Sequence, residues 1–338
     1  MAALAHTLNL GQLFFEANLL TESLTTFLIV ASLAWVAWLL FSDARRPLWQ
    51  VVAAGLAGGL TAGLVTLTRP LFIFLPFWLA LFLHAFWHNS TLKIRWSAAL
   101  AAGLSGLLVV GAWVNFIHQR FGIWSLSVMN GYNLVQHTGL FFEYLPDKYA
   151  AIRDTYIQFR DERIAEFGVP GNAIWDAIPD LERVSGLGFI PLSNLLAKLS
   201  IQLILDHPVL YLRNVLQGWL WFWKPPVYWS SASVANPASR GILSTLIKVE
   251  QGGMIVFNIA FISGSLTLIW KKMRQTLKME PFVWFSVGVV WFTSIIQTLL
   301  DHGDSPRFSV PIQTLIIFIV LWWVISLLNR KRDEIPPA

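Results

Sequence analysis

The chain reads as an all-α polytopic membrane protein, with about seven transmembrane helices and a long extracytoplasmic segment of amphipathic or interfacial helices. Three observations predict this. Of the 338 residues 56% are hydrophobic and only 13% are charged, about half the ~25% usual in soluble domains. The apolar residues lie in long runs near the ~20 residues that a bilayer requires of a helix. The 18 Trp and 24 Phe crowd the ends of those runs, as in the aromatic belts of membrane interfaces. Cysteine is absent, which removes disulfides, zinc–thiolate sites and thiol nucleophiles from consideration. The formal charge of +5 is modest and its Lys and Arg sit in loops beside apolar runs, so no nucleic-acid partner is expected.

Seven runs carry the prediction, at about 23–41, 50–67, 71–87, 97–116, 252–270, 282–300 and 309–328. They divide the chain into an N-terminal four-helix membrane part (1–116), an extracytoplasmic segment (117–251) and a C-terminal three-helix membrane part (252–338). In the middle segment, FFEYLPDKYAAIRDTYIQFRDERIAEFG predicts an amphipathic surface helix near 147–167. Residues 189–224 are apolar but interrupted by Pro208, and read as two helices in sequence, each too short to span alone. Trp219, Trp221, Trp223 and Trp229 suggest that they lie along the interface.

Basic residues in short loops give the orientation. Arg45 and Arg46, Lys93 and Arg95, the Lys271–Lys278 stretch, and Arg330 to Arg332 fall on one side. The opposite short loops hold only Arg69 and Arg307. The expected location is therefore an integral membrane protein, of a bacterial inner (plasma) membrane, with its C-terminus cytoplasmic and the 117–251 segment outside.

That topology places the candidate site residues. Arg69 is the one Asp, Glu, Lys or Arg between residues 51 and 86, and it stands at the outer tip of a hairpin that Pro70 turns. Arg307 lies in the corresponding outer loop DHGDSPRFSVP (301–311) with Asp301, His302 and Asp304. Glu22 opens the first span, where a carboxylate suits the positive end of a helix. Two readings stay open for the arginines: snorkelling to lipid phosphates, or a paired site for a lipid-linked phosphate, whose oxygens suit guanidinium forks. The Asp301 cluster reads as a solvated loop or as an active-site rim for a metal or a substrate hydroxyl. Gly55, Gly59 and Gly63 form a small-residue ridge for close helix packing. His84 and His88 are four apart but lack a third ligand, so they read as interfacial. No P-loop, GxSxG elbow, HExxH or dinucleotide fingerprint is present.

Four stretches are similar to the C-type membrane glycosyltransferases, the superfamily of the dolichyl-phosphate-mannose protein mannosyltransferases and the aminoarabinose transferase of lipid A. ANLLTESLTTFLIVASL (17–33) resembles the segment in which a conserved Glu opens a helix. GLAGGLTAGLVTLTRPLFIFLP (55–76) resembles the family's hairpin ending in Arg-Pro. RFGIWSLSVMNGYNLVQHTG (120–139) resembles an outer loop containing Asn-Leu, and DSPRFSVPIQTLIIFIV (304–320) resembles the closing helix. The resemblance implies transfer of a sugar from a polyprenyl-phosphate donor to a lipid, glycan or protein acceptor at the outer membrane face. A general base drawn from an early outer loop would act on the acceptor, and cationic side chains would stabilise the departing phosphate. On this reading Arg69 and Arg307 bind lipid phosphate. Glu22, Asp301, His302, Asp304, Tyr132 and Asn133 form the acceptor side or rim. A divalent metal ion is left open as a cofactor.

Two departures qualify the resemblance. The family has further spans, and its catalytic acidic loop, ahead of the segment matching 17–33, so the chain is expected to lack that loop. In GAWVNFIHQRFG (111–122), Phe116 and Ile117 stand where the family has Arg-Asn. Two functions follow: a glycosyltransferase represented without its first catalytic loop, or a non-catalytic lipid-binding subunit or scaffold of envelope polysaccharide assembly.

Overall fold

A computed structural model describes residues 9–17, 21–41, 46–87, 90–273, 280–301 and 305–333. Among them there are helices and no strands. Seven helices are long and apolar enough to cross a membrane: Thr21–Leu40, Leu48–Thr68, Leu92–Phe121, Phe189–Asp206, Pro237–Lys271, Pro281–Leu300 and Pro306–Asn329. The chain is an integral membrane protein. The run expected at 71–87 belongs to a shorter apolar stretch, Pro70–Phe86, which opens with a 3₁₀ turn over Pro70–Ile73 before the α-helix begins at Phe74. The run expected at 252–270 begins fifteen residues early. Pro237 starts that helix, with Asn236 Oδ1 accepting from the amides of Ala238 and Ser239.

The helices group into two compact units. The first comprises residues 1–110, 223–293 and 309–338. It contains α1 (Leu10–Ala17), α2 (Thr21–Leu40), α3 (Leu48–Thr68), α4 (Phe74–Phe86), most of α5 (Leu92–Phe121), α11 (Pro237–Met273), the first part of α12 (Pro281–Leu300) and α13 (Val310–Asp333). Backbone approach dominates its packing. A Cβ built on Gly59 would lie 2.0 Å from the Ala102 carbonyl oxygen, and one on Gly55 would lie 2.8 Å from that of Ala98. The glycine ridge of α3 therefore seats α5 at a distance that no larger residue permits. Between α2 and α3 the Ser32 and Thr61 hydroxyls meet at 3.0 Å. Between α4 and α12, Trp78 stacks on Phe285 and donates its indole N–H to the Phe285 carbonyl at 3.1 Å.

The second unit comprises residues 111–222 and 294–308. It is built on α6 (Asn130–Thr138), α7 (Ala150–Phe167), α8 (Ala173–Ser185), α9 (Phe189–Asp206) and α10 (Pro208–Phe222), with the ends of α5 and α12. A side-chain core holds it together, with one close backbone approach: a Cβ built on Gly131 would lie 1.8 Å from the Ser193 carbonyl oxygen. Tyr132, Val135, Phe142, Ile174, Leu181, Leu192 and Leu196 form a closed core. Leu192, Leu196, Leu199 and Leu203 recur at helical spacing and turn one face of α9 into that core. The surface helix expected near 147–167 is α7. The break expected at Pro208 separates α9 from α10, since proline removes the amide needed to continue α9. One expectation changes: α9, at 18 residues, meets the length and composition of a span.

Candidate lipid groove and the buried ion pair beside it

The site is built in the first unit, beginning at α1, which the sequence reading left without structure. Asn9 caps α1 by accepting the Gln12 amide at 2.7 Å. Glu250 of α11 accepts the Leu10 and Gly11 amides at 2.8 and 3.3 Å, placing a carboxylate on the positive end of α1. Asn9 Nδ2 also donates to Gln313 of α13 at 3.2 Å. An Asn-x-x-Gln pattern is a helix-start signal that was available at residues 9–12.

Along α2 and α13 runs an open cavity of about 580 Å³. Its length is apolar: Ile29, Val30, Leu33, Ala34 and Ala37 from α2, Pro311, Leu315 and Phe318 from α13, and Phe282 from α12. Its polar residues come chiefly from α1 and the first turns of α2: Gln12, Glu16, Ser23 and Thr26. Gln12 donates to Ser23 at 3.4 Å and accepts from Thr26 at 3.5 Å, which knits that end together. The groove is hollow where α2 carries Ala34 and Ala37 rather than larger residues. The volume lies within the ~300–1,000 Å³ of ligand pockets.

Arg69 and Glu22 meet. Glu22 is wholly buried and Arg69 is 6% exposed, and an Arg69 guanidinium nitrogen donates to Glu22 Oε1. Arg69 holds extended backbone (φ −146, ψ 107) between the end of α3 and a 3₁₀ turn over Pro70–Ile73. The turn is tied by the Phe72 amide to the Arg69 carbonyl at 3.0 Å and by the Thr66 hydroxyl to the Phe72 carbonyl at 3.1 Å. Beside the pair, Thr25 and Thr68 hydroxyls lie 3.2 Å apart. The carboxylate thus neutralises the arginine within the chain, and a phosphate approaching Arg69 would compete with Glu22.

The other expected residues fall elsewhere. Arg307 is half-buried in a 3₁₀ segment, Ser305–Ser309, and Asp301 closes α12 with its amide bonded to the Gln297 carbonyl at 2.9 Å. Both belong to the second unit. His302 and Asp304 lie outside the described residues. Tyr132 is fully buried in the second unit's core, donating its hydroxyl to the Phe189 carbonyl at 2.7 Å. Burial, with a smaller contribution from the Glu182 charge, pushes its pKa up to about 12. Asn133, one residue on, is half-buried. The His84 ring lies tilted against that of Trp96, with centroids 4.1 Å apart, and His88 is outside the described residues. Among the described residues no cluster of three His, Asp or Glu is placed to hold a metal ion.

No family model, no curated protein and no solved structure matches the chain.

Proposed function

We propose that the chain handles a polyprenyl-phosphate-linked sugar, as an integral-membrane glycosyltransferase working at the extracytoplasmic face. The observation that carries this reading is the groove: a hydrocarbon-lined trough with a hydrogen-bonding end is the shape required by a long apolar tail with a polar head. A polyprenyl chain gains roughly 25 cal/mol for each Å² of apolar surface removed from water, so the tail supplies affinity and the polar end supplies register. The four motif stretches support the same reading. In it, the Glu22–Arg69 pair fastens the start of α2, whose Ser23 and Thr26 belong to the trough's polar end, to the end of α3. By the resemblance, Arg307 is the cation for the leaving phosphate.

The second reading, a lipid-binding subunit without catalysis, is favoured by the Glu22–Arg69 pair, which engages both charges internally. Reconstituted protein, incubated with polyprenyl-phosphate sugars and membrane-extract acceptors, separates the two. Sugar transfer that falls at least tenfold in Ala34→Trp supports the transferase. Saturable polyprenyl-phosphate binding without transfer supports the subunit. Absence of binding by well-folded protein sinks both.

A further inference from the structure

The second unit has two unlike surfaces. Across α7 four acidic side chains are exposed, Asp154, Asp161, Glu162 and Glu166, beside Ile164 and Phe167 near its end. Along α9 and α10 the exposed side chains are mainly apolar, with Lys198, Gln202, Asp206, Arg213 and Gln217 interspersed. Ile201 and Leu205 are 52% and 74% exposed, and Val209, Leu212, Leu216 and Leu220 are 76%, 58%, 59% and 59% exposed. The spacings of three and four residues put these on one row per helix, and the row continues past the Pro208 break. The opposite faces of the same helices are occupied: Leu196, Leu199 and Leu203 fill the core, and buried Asn214 donates to the His137 carbonyl at 3.0 Å. Rotation that hides the stripe would expose those groups. α9 has the composition of a membrane span, yet its inner face carries Ser193, which accepts the Gly131 amide at 3.2 Å, and Ser200, bonded to Thr138 at 2.9 Å. Half of it is therefore committed to a protein core.

The occupant of the stripe is indicated by where the unit is fastened. Tyr211, on the first turn of α10, donates its hydroxyl to the Leu299 carbonyl at 2.7 Å. Leu299 is the penultimate residue of α12, one of the candidate spans. The start of α10 is thus held at the C-terminal end of a helix long and apolar enough to cross a bilayer. Trp219 and Trp221, half-buried, stand near the far end of α10, the residue type that favours headgroup depth. Lys198, Asp206 and Arg213 are exposed along the same helices, two cations against one anion, a balance suited to lipid phosphates.

We infer that the α9–α10 face is a membrane-surface anchor that lies in the headgroup–acyl boundary, so that the second unit is seated on the bilayer rather than standing clear of it. This goes beyond the transfer reaction and does not depend on it. The geometry sets a sharp expectation. Val209 and Leu220 are separated by about 17 Å at ~1.5 Å per residue. A helix lying in the interface holds both at one depth, and a helix directed across the leaflet holds them at very different depths.

The chain contains no cysteine, so single-cysteine spin labels are direct. Labels at Val209→Cys, Leu212→Cys, Leu216→Cys and Leu220→Cys, with Glu162→Cys and Glu166→Cys on α7 as references, are measured in the full chain in phospholipid vesicles. Relaxation by oxygen, which partitions into lipid, is compared with relaxation by a water-soluble nickel chelate. We expect all four stripe labels to favour oxygen, at depths within a few Å of one another, and both α7 labels to favour nickel. Nickel-dominated relaxation at the stripe would overturn the inference. So would labels shielded from both agents, which means a protein partner covers the face, and so would a steady depth gradient from 209 to 220.

Discussion

The two units bury polar groups by opposite means. In the membrane unit, one carboxylate and one guanidinium, Glu22 and Arg69, are enclosed together at the foot of two helices. In the second unit, Arg160 is also nearly enclosed, but it reaches outward to carboxylates that are half exposed. It donates to Glu143 at 2.6 Å, to Asp161 at 2.9 Å and to the Gly139 carbonyl at 3.1 Å. The first arrangement has little water to replace a lost partner, and the second has water within reach. The packing differs in emphasis. In the membrane unit the glycine ridge brings α3 against α5, where lipid is as apolar as any side chain and close approach is the available source of attraction. The second unit adds a core of interdigitated side chains to an equally close backbone approach, Gly131 of α6 against Ser193 of α9.

The largest effect should come from dividing the membrane pair. Arg69→Met leaves a buried carboxylate without its guanidinium, and losses of ~3–5 kcal/mol are typical of such breaks. The expected outcome is a fall in thermal midpoint and in monodisperse yield in detergent, with Glu22→Gln/Arg69→Met recovering much of it. A double variant as unstable as the single one would show that the pair is not the relevant contact. In the second unit, Leu196→Ala should cost ~2–5 kcal/mol by leaving a cavity, read as earlier proteolysis within residues 111–222. Gly59→Leu should cost about 1–3 kcal/mol or more, because α5 must move away, while Gly111→Leu, whose added Cβ would meet nothing within 4 Å, should be near neutral. Equal effects of the two glycine substitutions would contradict packing by close backbone approach.

The smallest effect is electrostatic. Burial pushes the Glu143 carboxyl up, but the Arg160 hydrogen bond and charge outweigh it and hold the group below its ordinary value. Burial likewise lowers the Arg160 pKa, and its two carboxylate partners raise it further than burial lowers it. A depressed carboxyl contributes stability above its unfolded value, about 4.3, and loses it as pH falls through the folded value. The Glu143 side chain is 51% exposed, so after screening the contribution is about 0.5 kcal/mol. Glu143→Gln should therefore slightly lower the second unit's melting temperature at pH 7, by an amount that shrinks as the pH falls below the unfolded value. A difference that grows on acidification would reverse the sign.

These regions were unequally legible in the sequence. Long apolar runs gave most of the membrane helices, Pro208 marked the α9–α10 break, and the Gly55–Gly59–Gly63 spacing announced a packing ridge. Glu22 and Arg69 were each conspicuous as isolated charges, but their meeting depends on the register of α2 against α3 across 47 residues, which no local pattern carries. The groove was invisible for a related reason. Ala34 and Ala37 look like ordinary span residues, and they become a hollow only once α13 stands beside α2. The resemblance of residues 120–139 to an outer loop puts Tyr132 at the rim, whereas the α6–α9 packing turns it inward.

The most direct test of the account is photocrosslinking with a polyprenyl phosphate that carries a diazirine in its tail. The probe is added to the reconstituted full chain and the labelled peptides are read by mass spectrometry. The account predicts adducts concentrated on α2 around Val30–Ala37 and on α13 around Pro311–Phe318, competed by unlabelled polyprenyl phosphate and lost in Ala34→Trp. Adducts spread evenly over lipid-facing positions such as Leu104 and Val256, unchanged by competitor or by Ala34→Trp, would show that the groove holds only bulk lipid and would contradict the account.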